Sequence, residues 1–459
     1  MNKSHIATLI ENHRTFFASG TTRDISFRIE QLKTLRRMIK DNEQAFFRAL
    51  RQDLGRNDFE SYGGDTEITV NLIDYVLKNI RSWVKPRRVR TSLVYFSAKS
   101  FVIPEPLGTT LIIGPWNFPV QLMLSPLTGA IAAGNCAVLK PSHASAATSS
   151  LLVKLIRAYF DSRFISCVEG DRESARILLE EQFDHIFFTG GPAAGKVVMA
   201  AAAKHLTPVT LELGGKNPCI VDADTDLDIT ARRITWGKFY NNGQSCVAVD
   251  YLLVDKRIKH ELLNRIVKNV HDWYGPDPAK STNYGRIINE THFDRVYRLM
   301  GKGTIICGGQ GDRASRYIAP TVIDGITGSE PIMEDEIFGP LLPVIEYETL
   351  DQAISSVNSR PKPLALYFFS RSRAMQERVL RETSSGGGCI NDTVIHETAD
   401  RLPFGGVGMS GMGKYHGKAT FDTFSHERAF MRSGFILAAD ALLRYPPYQD
   451  HLKWLRKIY

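Results

Sequence analysis

The sequence predicts an α/β protein built on parallel, doubly wound sheets. Two observations carry this. From about residue 111, short apolar runs alternate with helix-like stretches, and strand–helix repeats of that kind build parallel sheets covered by helices. The chain has 459 residues with ordinary apolar and charged fractions. That length favours two or three domains, with a core large enough to fold without a metal or disulfide staple.

Taken in order, Ile25, Ile29, Leu32, Leu35 and Ile39 recur at helical spacing with Arg and Lys between them. One long amphipathic helix over residues 24–51 is therefore expected. A second helix is expected from about Thr66 to Trp83. The stretch from Leu93 to Ile103 has no helical period, is rich in β-branched and aromatic residues, and is closed by Pro104 and Pro106. It reads as a hairpin or arm. Strand-like runs follow at 111–113, 137–139, 164–168 and 185–188. Helix-like stretches follow these runs at 122–133, up to about Tyr159, near 174–179, and from Pro192 to about Lys204. Leu211-Glu212-Leu213-Gly214-Gly215 closes the region. A second α/β unit is expected from about Asp222, with strands at 251–254, 342–345 and 364–369. The tail from Leu402 is Gly-rich, then mixed, and its 420–431 stretch can pair with the arm.

The formal net charge of +8 is modest and spread along the chain. The densest basic run, Lys85-Pro86-Arg87-Arg88-Val89-Arg90, lacks the interleaved aromatics of a nucleic-acid surface and reads as a solvated linker. A basic surface also favours anionic cofactor phosphates. The cysteines are Cys136, Cys167, Cys219, Cys246, Cys307 and Cys389, with no CxxC pair and no His at metal-ligand spacing. Scattered thiols in a long chain fit a reducing cytosol, and no metal site is expected. The N-terminus lacks an apolar signal core, and no run approaches the roughly 18 apolar residues of a membrane span. A cytoplasmic protein is therefore expected. The basic, amphipathic 452–457 segment leaves a membrane-surface role open.

Several residues carry possible chemistry. The run Phe187-Phe188-Thr189 leads into Gly190-Gly191-Pro192-Ala193-Ala194-Gly195. Glycines let a backbone approach a pyrophosphate, Pro suits a first helical turn, and the helix N-terminus offers free N–H groups to an anion. The spacing is not the GxGxxG fingerprint, and a plain tight turn explains Gly190 and Gly195 as well. Lys140 ends another strand, where α/β sheets meet ligands, although a solubilising role fits too. Cys246 lies in the polar, turn-like Asn241-Asn242-Gly243-Gln244-Ser245-Cys246, which suits a reactive thiol better than a structural one. Glu212 sits inside an apolar run, where burial would raise its pKa toward that of a general base; an outward-facing strand Glu is the alternative. Asn117 stands in Pro115-Trp116-Asn117-Phe118-Pro119, as an oxyanion donor or simply a turn residue.

Five strings, in order, resemble the NAD(P)-dependent aldehyde dehydrogenase superfamily. They are Pro-Trp-Asn-Phe-Pro at 115, Leu-Glu-Leu-Gly-Gly-Lys at 211, Gly-Gln-Ser-Cys at 243, Glu-Ile-Phe-Gly-Pro at 336 and Pro-Phe-Gly-Gly-Val-Gly-Met-Ser-Gly at 403. The likeness covers nearly the whole chain and is greatest to the class 3 branch, on Ala203-Lys204-His205-Leu206-Thr207-Pro208-Val209, Tyr284-Gly285-Arg286-Ile287-Ile288 and Lys414-Tyr415-His416-Gly417-Lys418. Arg444-Tyr445-Pro446-Pro447 adds to it.

The resemblance implies an α/β fold in three parts. A Rossmann-like cofactor domain takes residues 1–85 and 105–210, a catalytic α/β domain 211–400, and a small β oligomerisation element 86–104 with the tail 401–459. It implies oxidation of aldehydes, medium or long aliphatic or aromatic, to acids with NAD or NADP, by a homodimer. Cys246 would attack the carbonyl, with Asn117 and the Cys246 N–H holding the oxyanion, and Glu212 would activate water against the thioester. Glu336 would hold the nicotinamide ribose with Phe338 beside it, and Lys140 the adenosine ribose. Thr189, Gly190, Gly191 and Gly195 would shape the pyrophosphate turn. Two positions depart from the pattern. Gly191 stands where a hydroxyl residue is frequent, which removes one side-chain bond to pyrophosphate, and His143 stands where Glu is frequent. That Glu would repel the 2′-phosphate of NADP, so His143 predicts that NADP is accepted at least comparably with NAD. The rivals are a coenzyme A-acylating enzyme, disfavoured by the hydrolytic Glu212, and a non-catalytic relative, disfavoured by retention of Cys246, Glu212 and Asn117.

Overall fold

The computed structural model describes residues 3–92, 95, 98–399, 401–435, 445–448 and 451–458. It is an α/β structure with two largely parallel sheets, as the strand–helix alternation predicts.

The N-terminal sheet has six strands in the order Gly411–Met412, Val209–Glu212, His185–Thr189, Thr109–Ile113, Cys136–Lys140 and Ile165–Cys167. All pairings are parallel except that of Gly411–Met412, which runs antiparallel along the edge. The strands from His185 and Cys136 are buried throughout, as expected when helices cover both faces. Gln121–Ala133 is a helix buried on every side. The second sheet has seven strands in the order Thr304–Cys307, Thr321–Asp324, Leu341–Tyr347, Tyr251–Asp255, Pro218–Val221, Ala365–Phe369 and Gly387–Ile390. Only its first pairing is antiparallel.

The N-terminal region differs from expectation in two ways. Lys3–Ala18 is a helix that its polar composition did not announce; it buries Ile6, Ile10 and His13 against the sheet. The single helix expected over 24–51 is two, Ile25–Asp41 and Glu43–Leu54. Asn42 breaks it at φ −115°, ψ 15°. Its amide donates to the Met38 carbonyl (2.9 Å) and to the Tyr159 hydroxyl (3.1 Å), ending one helix against a distant element. Asp24 caps the first helix by accepting from Ser26 N–H at 2.9 Å.

The arm is a strand, Lys99–Pro106, paired antiparallel to Ser425–Arg432 along its length and to Arg87–Val89 at residues 100–102. Leu93, Val94, Phe96 and Ser97, where the arm was expected to begin, lie outside the described residues. Pro104 and Pro106 do not close the strand; they belong to it. They sit beyond the reach of Arg87–Val89, where one side of the strand is unpaired and a missing N–H costs nothing. Of the tail stretch expected to pair, Gly417–Thr423 is helical and only Ser425 onward is strand.

Candidate active site

The parallel strands of both sheets end toward a common region, and two cavities open there. One, about 580 Å³, is bordered by Thr189, Gly190, Glu212, Glu336 and Phe338. The other, about 660 Å³, has mostly apolar walls that include Phe118, Trp236, Tyr240 and Phe404. Cys246 borders both.

Cys246 is held by an irregular loop. Asn241 and Asn242 adopt left-handed backbone (φ 48° and 56°), which Asn tolerates better than most residues. The Asn241 amide donates to the carbonyls of Asn117 (3.1 Å) and Gln244 (3.0 Å). The Asn217 amide donates to the Cys246 carbonyl at 2.7 Å, and Ile288 N–H to the Gln244 amide oxygen at 3.0 Å. Burial raises the Cys246 thiol well above its ordinary value, and Glu336, Glu397 and Glu212 push the same way.

Asn117 is buried and joined to the same loop, with one amide N–H donated to the Gln244 carbonyl at 3.1 Å. Its second amide hydrogen remains, and the residue borders the first cavity. Behind it lies a buried Arg56–Asp65 ion pair. Asp65 accepts from Val120 and Gln121 N–H, each at 2.9 Å, and Arg56 donates to the Asn117 carbonyl, so the pair fixes both ends of the Asn117 turn.

Glu212 is the last residue of its strand, and both carboxylate oxygens are buried without a hydrogen-bond partner. Burial alone raises its pKa well above the ordinary carboxylate value. Glu336 is pushed up to about 8 by burial and by Asp250, against the pull of Gly215 N–H, Lys216 and Arg295. Its Oε1 has no partner, and a Cβ at Gly214 would lie 1.9 Å from its Oε2, so a larger residue there would displace the carboxylate. Arg295 donates to the Glu336 carbonyl (3.3 Å) and the Ile337 carbonyl (2.7 Å), while Lys216 pairs with buried Asp250 at 2.5 Å. Phe338 (φ 48°) meets Trp116 edge-on at 5.3 Å.

Thr189 ends its strand with a buried, unpartnered hydroxyl. Gly190 N–H donates to the Glu212 carbonyl at 3.0 Å, and Gly191 caps the helix Pro192–Ala203. The free N–H groups of that first turn suit an anion. Unpartnered Thr189 and Glu336 oxygens beside this turn fit a dinucleotide with its phosphates at the helix end and a ribose at Glu336. The remaining expected residues do not border the cavity. Gly195 packs its helix on Leu213, where a Cβ would approach within 2.8 Å. The buried Lys140 ammonium donates to the carbonyls of Pro141 (2.8 Å) and Gly170 (2.7 Å). His143 is exposed in the following loop, where it helps lower Asp171.

The sequence profile of the Aldehyde dehydrogenase family matches residues 1–430. The chain belongs to the aldehyde dehydrogenase family. Human "Aldehyde dehydrogenase family 3 member B1" is 48% identical over 435 residues, 95% of this chain and 93% of that protein. The mouse "Aldehyde dehydrogenase, dimeric NADP-preferring" is 46% identical over 444 residues, 97% and 98% of the two chains. A solved substrate-bound structure of Staphylococcus aureus AldH superposes with a TM-score of 0.96 at 43% identity, covering 98% of this chain and 99% of that one. This aldehyde dehydrogenase therefore falls in the class 3 branch and oxidises aldehydes to acids with NAD(P).

Sequence reasoning did not reach Arg56, Asp65, Lys216, Asp250 or Arg295. Each acts through partners distant in the chain, and no local pattern marks them. It also missed Gln121, Glu397 and Tyr415 on the wall of the larger cavity, which three separate segments bring together.

Proposed function

We propose that aldehyde enters the larger cavity and is oxidised through a thioester on Cys246, with Glu212 activating water. The observation that carries this reading is the position of Cys246 on both cavities. A nucleophile there reaches an aldehyde from the apolar side and the nicotinamide from the other. The thiol passes its proton to a base, and its sulfur bonds to the carbonyl carbon. The Asn117 amide and the Cys246 backbone N–H then hold the oxyanion. Bound NAD(P) supplies the acceptor for the hydride that leaves this carbon. The C–S bond breaks after water adds to the thioester, and Glu212 takes the proton from that water. Glu212 suits this better than Glu336, because its two oxygens are uncommitted while Glu336 sits among Gly215 N–H, Lys216 and Arg295.

Glu336 and Phe338 are read as the nicotinamide-ribose side, and Thr189, Gly190 and Gly191 as the pyrophosphate turn, with Gly195 supporting its helix. Lys140 and His143 are assigned to the adenosine end of the same groove. The wide apolar cavity suits medium or long aliphatic and aromatic aldehydes. NADP is accepted at least as well as NAD, in keeping with the mouse relative's printed preference. The protein acts in the cytoplasm as a homodimer formed through the sheet of the arm and tail. Support for the dimer is the edge strand Ser425–Arg432, exposed along nearly its whole length with Phe430 and Met431 showing, and the same relative's printed name. The domains are read as divided near residues 85, 105, 210 and 400, with Val209–Glu212 and the tail strand Gly411–Met412 completing the N-terminal sheet.

Cys246→Ser replaces a strong nucleophile with a hydroxyl that is almost wholly protonated at neutral pH. Oxidation is expected to fall by orders of magnitude while NAD(P) still binds. Intact-protein mass spectrometry of the quenched wild type should find the acyl group on Cys246. An acyl group on another cysteine, or substantial turnover by Cys246→Ala, would overturn the assignment.

A further inference from the structure

The wall of the larger cavity holds more acid than an aldehyde's hydrocarbon tail needs. Glu60 and Glu397 both border it, and the Gln121 amide donates to the Glu397 carboxylate from the same wall. Both carboxyls lie within electrostatic reach of the Tyr240 hydroxyl. Tyr415 also borders the cavity, and its fully buried hydroxyl has no hydrogen-bond partner. Asp272 stands at the same cavity, exposed and paired to Lys268. Among the described residues no Lys, Arg or His side chain borders it. Arg56, a buried cation, stands behind this wall. It lies over the Phe118 ring at 4.6 Å and is committed to Asp65 and the Asn117 carbonyl. Burial holds Glu60 up at about 7 against the pull of Arg56 and Asn241 N–H, and Glu397 up at about 7 against the Gln121 bond.

Two half-buried carboxyls on an aromatic wall without a neighbouring cation favour a positive charge that joins them. Among the described residues no cation borders the cavity, so a ligand is the natural source of the counter-charge. Trp236, Tyr240 and Phe404 offer the apolar faces that an alkylated ammonium and its spacer favour. We propose that this cavity selects aldehydes carrying an ammonium group at the end remote from the carbonyl, placed between Glu60 and Glu397 with the Tyr415 hydroxyl lining its path. Glu60 and Glu397 are thus specificity-determining residues. The proposal rests on the reading of this cavity as the aldehyde site.

The test compares kcat/KM for three benzaldehydes of similar size. They carry a para trimethylammoniomethyl group, the neutral neopentyl group or an anionic carboxymethyl group. The wild type is expected to favour the cation over its neutral isostere by about tenfold or more, and to disfavour the anion. Glu397→Gln and Glu60→Gln should each erode the preference, mainly through KM, and the double variant should abolish it. A wild type that prefers the neutral isostere, or a double variant that keeps the cation preference, overturns the proposal and leaves the aldehyde site standing. Failure to oxidise any of the three with either cofactor would overturn both.

Discussion

At the scale of single residues, the site works by withholding partners. Glu212 reaches the end of its strand with both oxygens buried and unbonded, and burial with three acidic neighbours raises the Cys246 thiol above its ordinary value. Such a carboxyl is ready to take a proton from water, because burial has raised its affinity for one. Glu212→Gln is therefore expected to release one equivalent of reduced cofactor rapidly and then stall, as hydrolysis is lost and acylation kept. Rapid-mixing absorbance of the reduced nicotinamide reads this directly. Loss of the burst itself would assign Glu212 to the thiol proton instead. The sign of the pH effect also follows. With its native pKa raised above the unfolded value, Glu212 contributes stability that is full below the ordinary carboxylate range. That contribution is lost as pH rises through the raised value. Chemical denaturation of the Gln variant across pH should show a flatter profile than the wild type; an equally steep one would place the dependence elsewhere.

At the scale of elements, strand ends and helix starts assemble the groove proposed for the cofactor. Thr189 and Glu212 end neighbouring parallel strands, and the helix beginning at Pro192 points its free N–H groups into the space beyond them. Two strands on from His185–Thr189, past Thr109–Ile113, Lys140 ends Cys136–Lys140 and His143 follows in an exposed loop. The Asp171 carboxylate near His143 accepts from Glu173 N–H (3.0 Å) and Ser174 N–H (3.2 Å), so it caps its own helix. His143→Glu is expected to shift the ratio of kcat/KM values toward NAD by roughly ten- to a hundredfold, the size of one charge-assisted interaction. A wild type with strong NAD preference that the substitution leaves unchanged would sink the role of His143.

At the scale of the whole molecule, the three-stranded sheet leaves Ser425–Arg432 as an open edge among the described residues. An exposed edge carrying Phe430 and Met431 invites a second strand or a second chain. The paired variant Ala429→Asp with Met431→Asp charges that edge without touching either cavity. Light scattering of the wild type is expected to give twice the chain mass, and the variant is expected to give a monomer. A monomeric wild type, or a variant that stays dimeric, would exclude this edge as the interface. Elsewhere the described helices include none long and apolar enough to cross a membrane. The terminal helix His451–Ile458 exposes Leu452 and Trp454 beside its basic residues.

The sequence by itself determined the α/β class, the place of most strands and the family, because fully buried parallel strands are written as local apolar runs and the five strings are contiguous. It also singled out Cys246, Glu212 and Asn117, whose surroundings are unusual within a few residues. It could not show that Asn42 ends a helix, since the Tyr159 hydroxyl that helps hold it lies 117 positions away. Nor could it show that Pro104 and Pro106 sit inside a strand, which depends on how far Arg87–Val89 extends alongside. Only the tertiary structure decided that Cys246 stands between two cavities, that the Arg56–Asp65 pair braces Asn117, and that Glu60 and Glu397 share a wall with no cation. Pairing and burial of charge depend on partners brought together from across the chain, and a linear pattern records none of them.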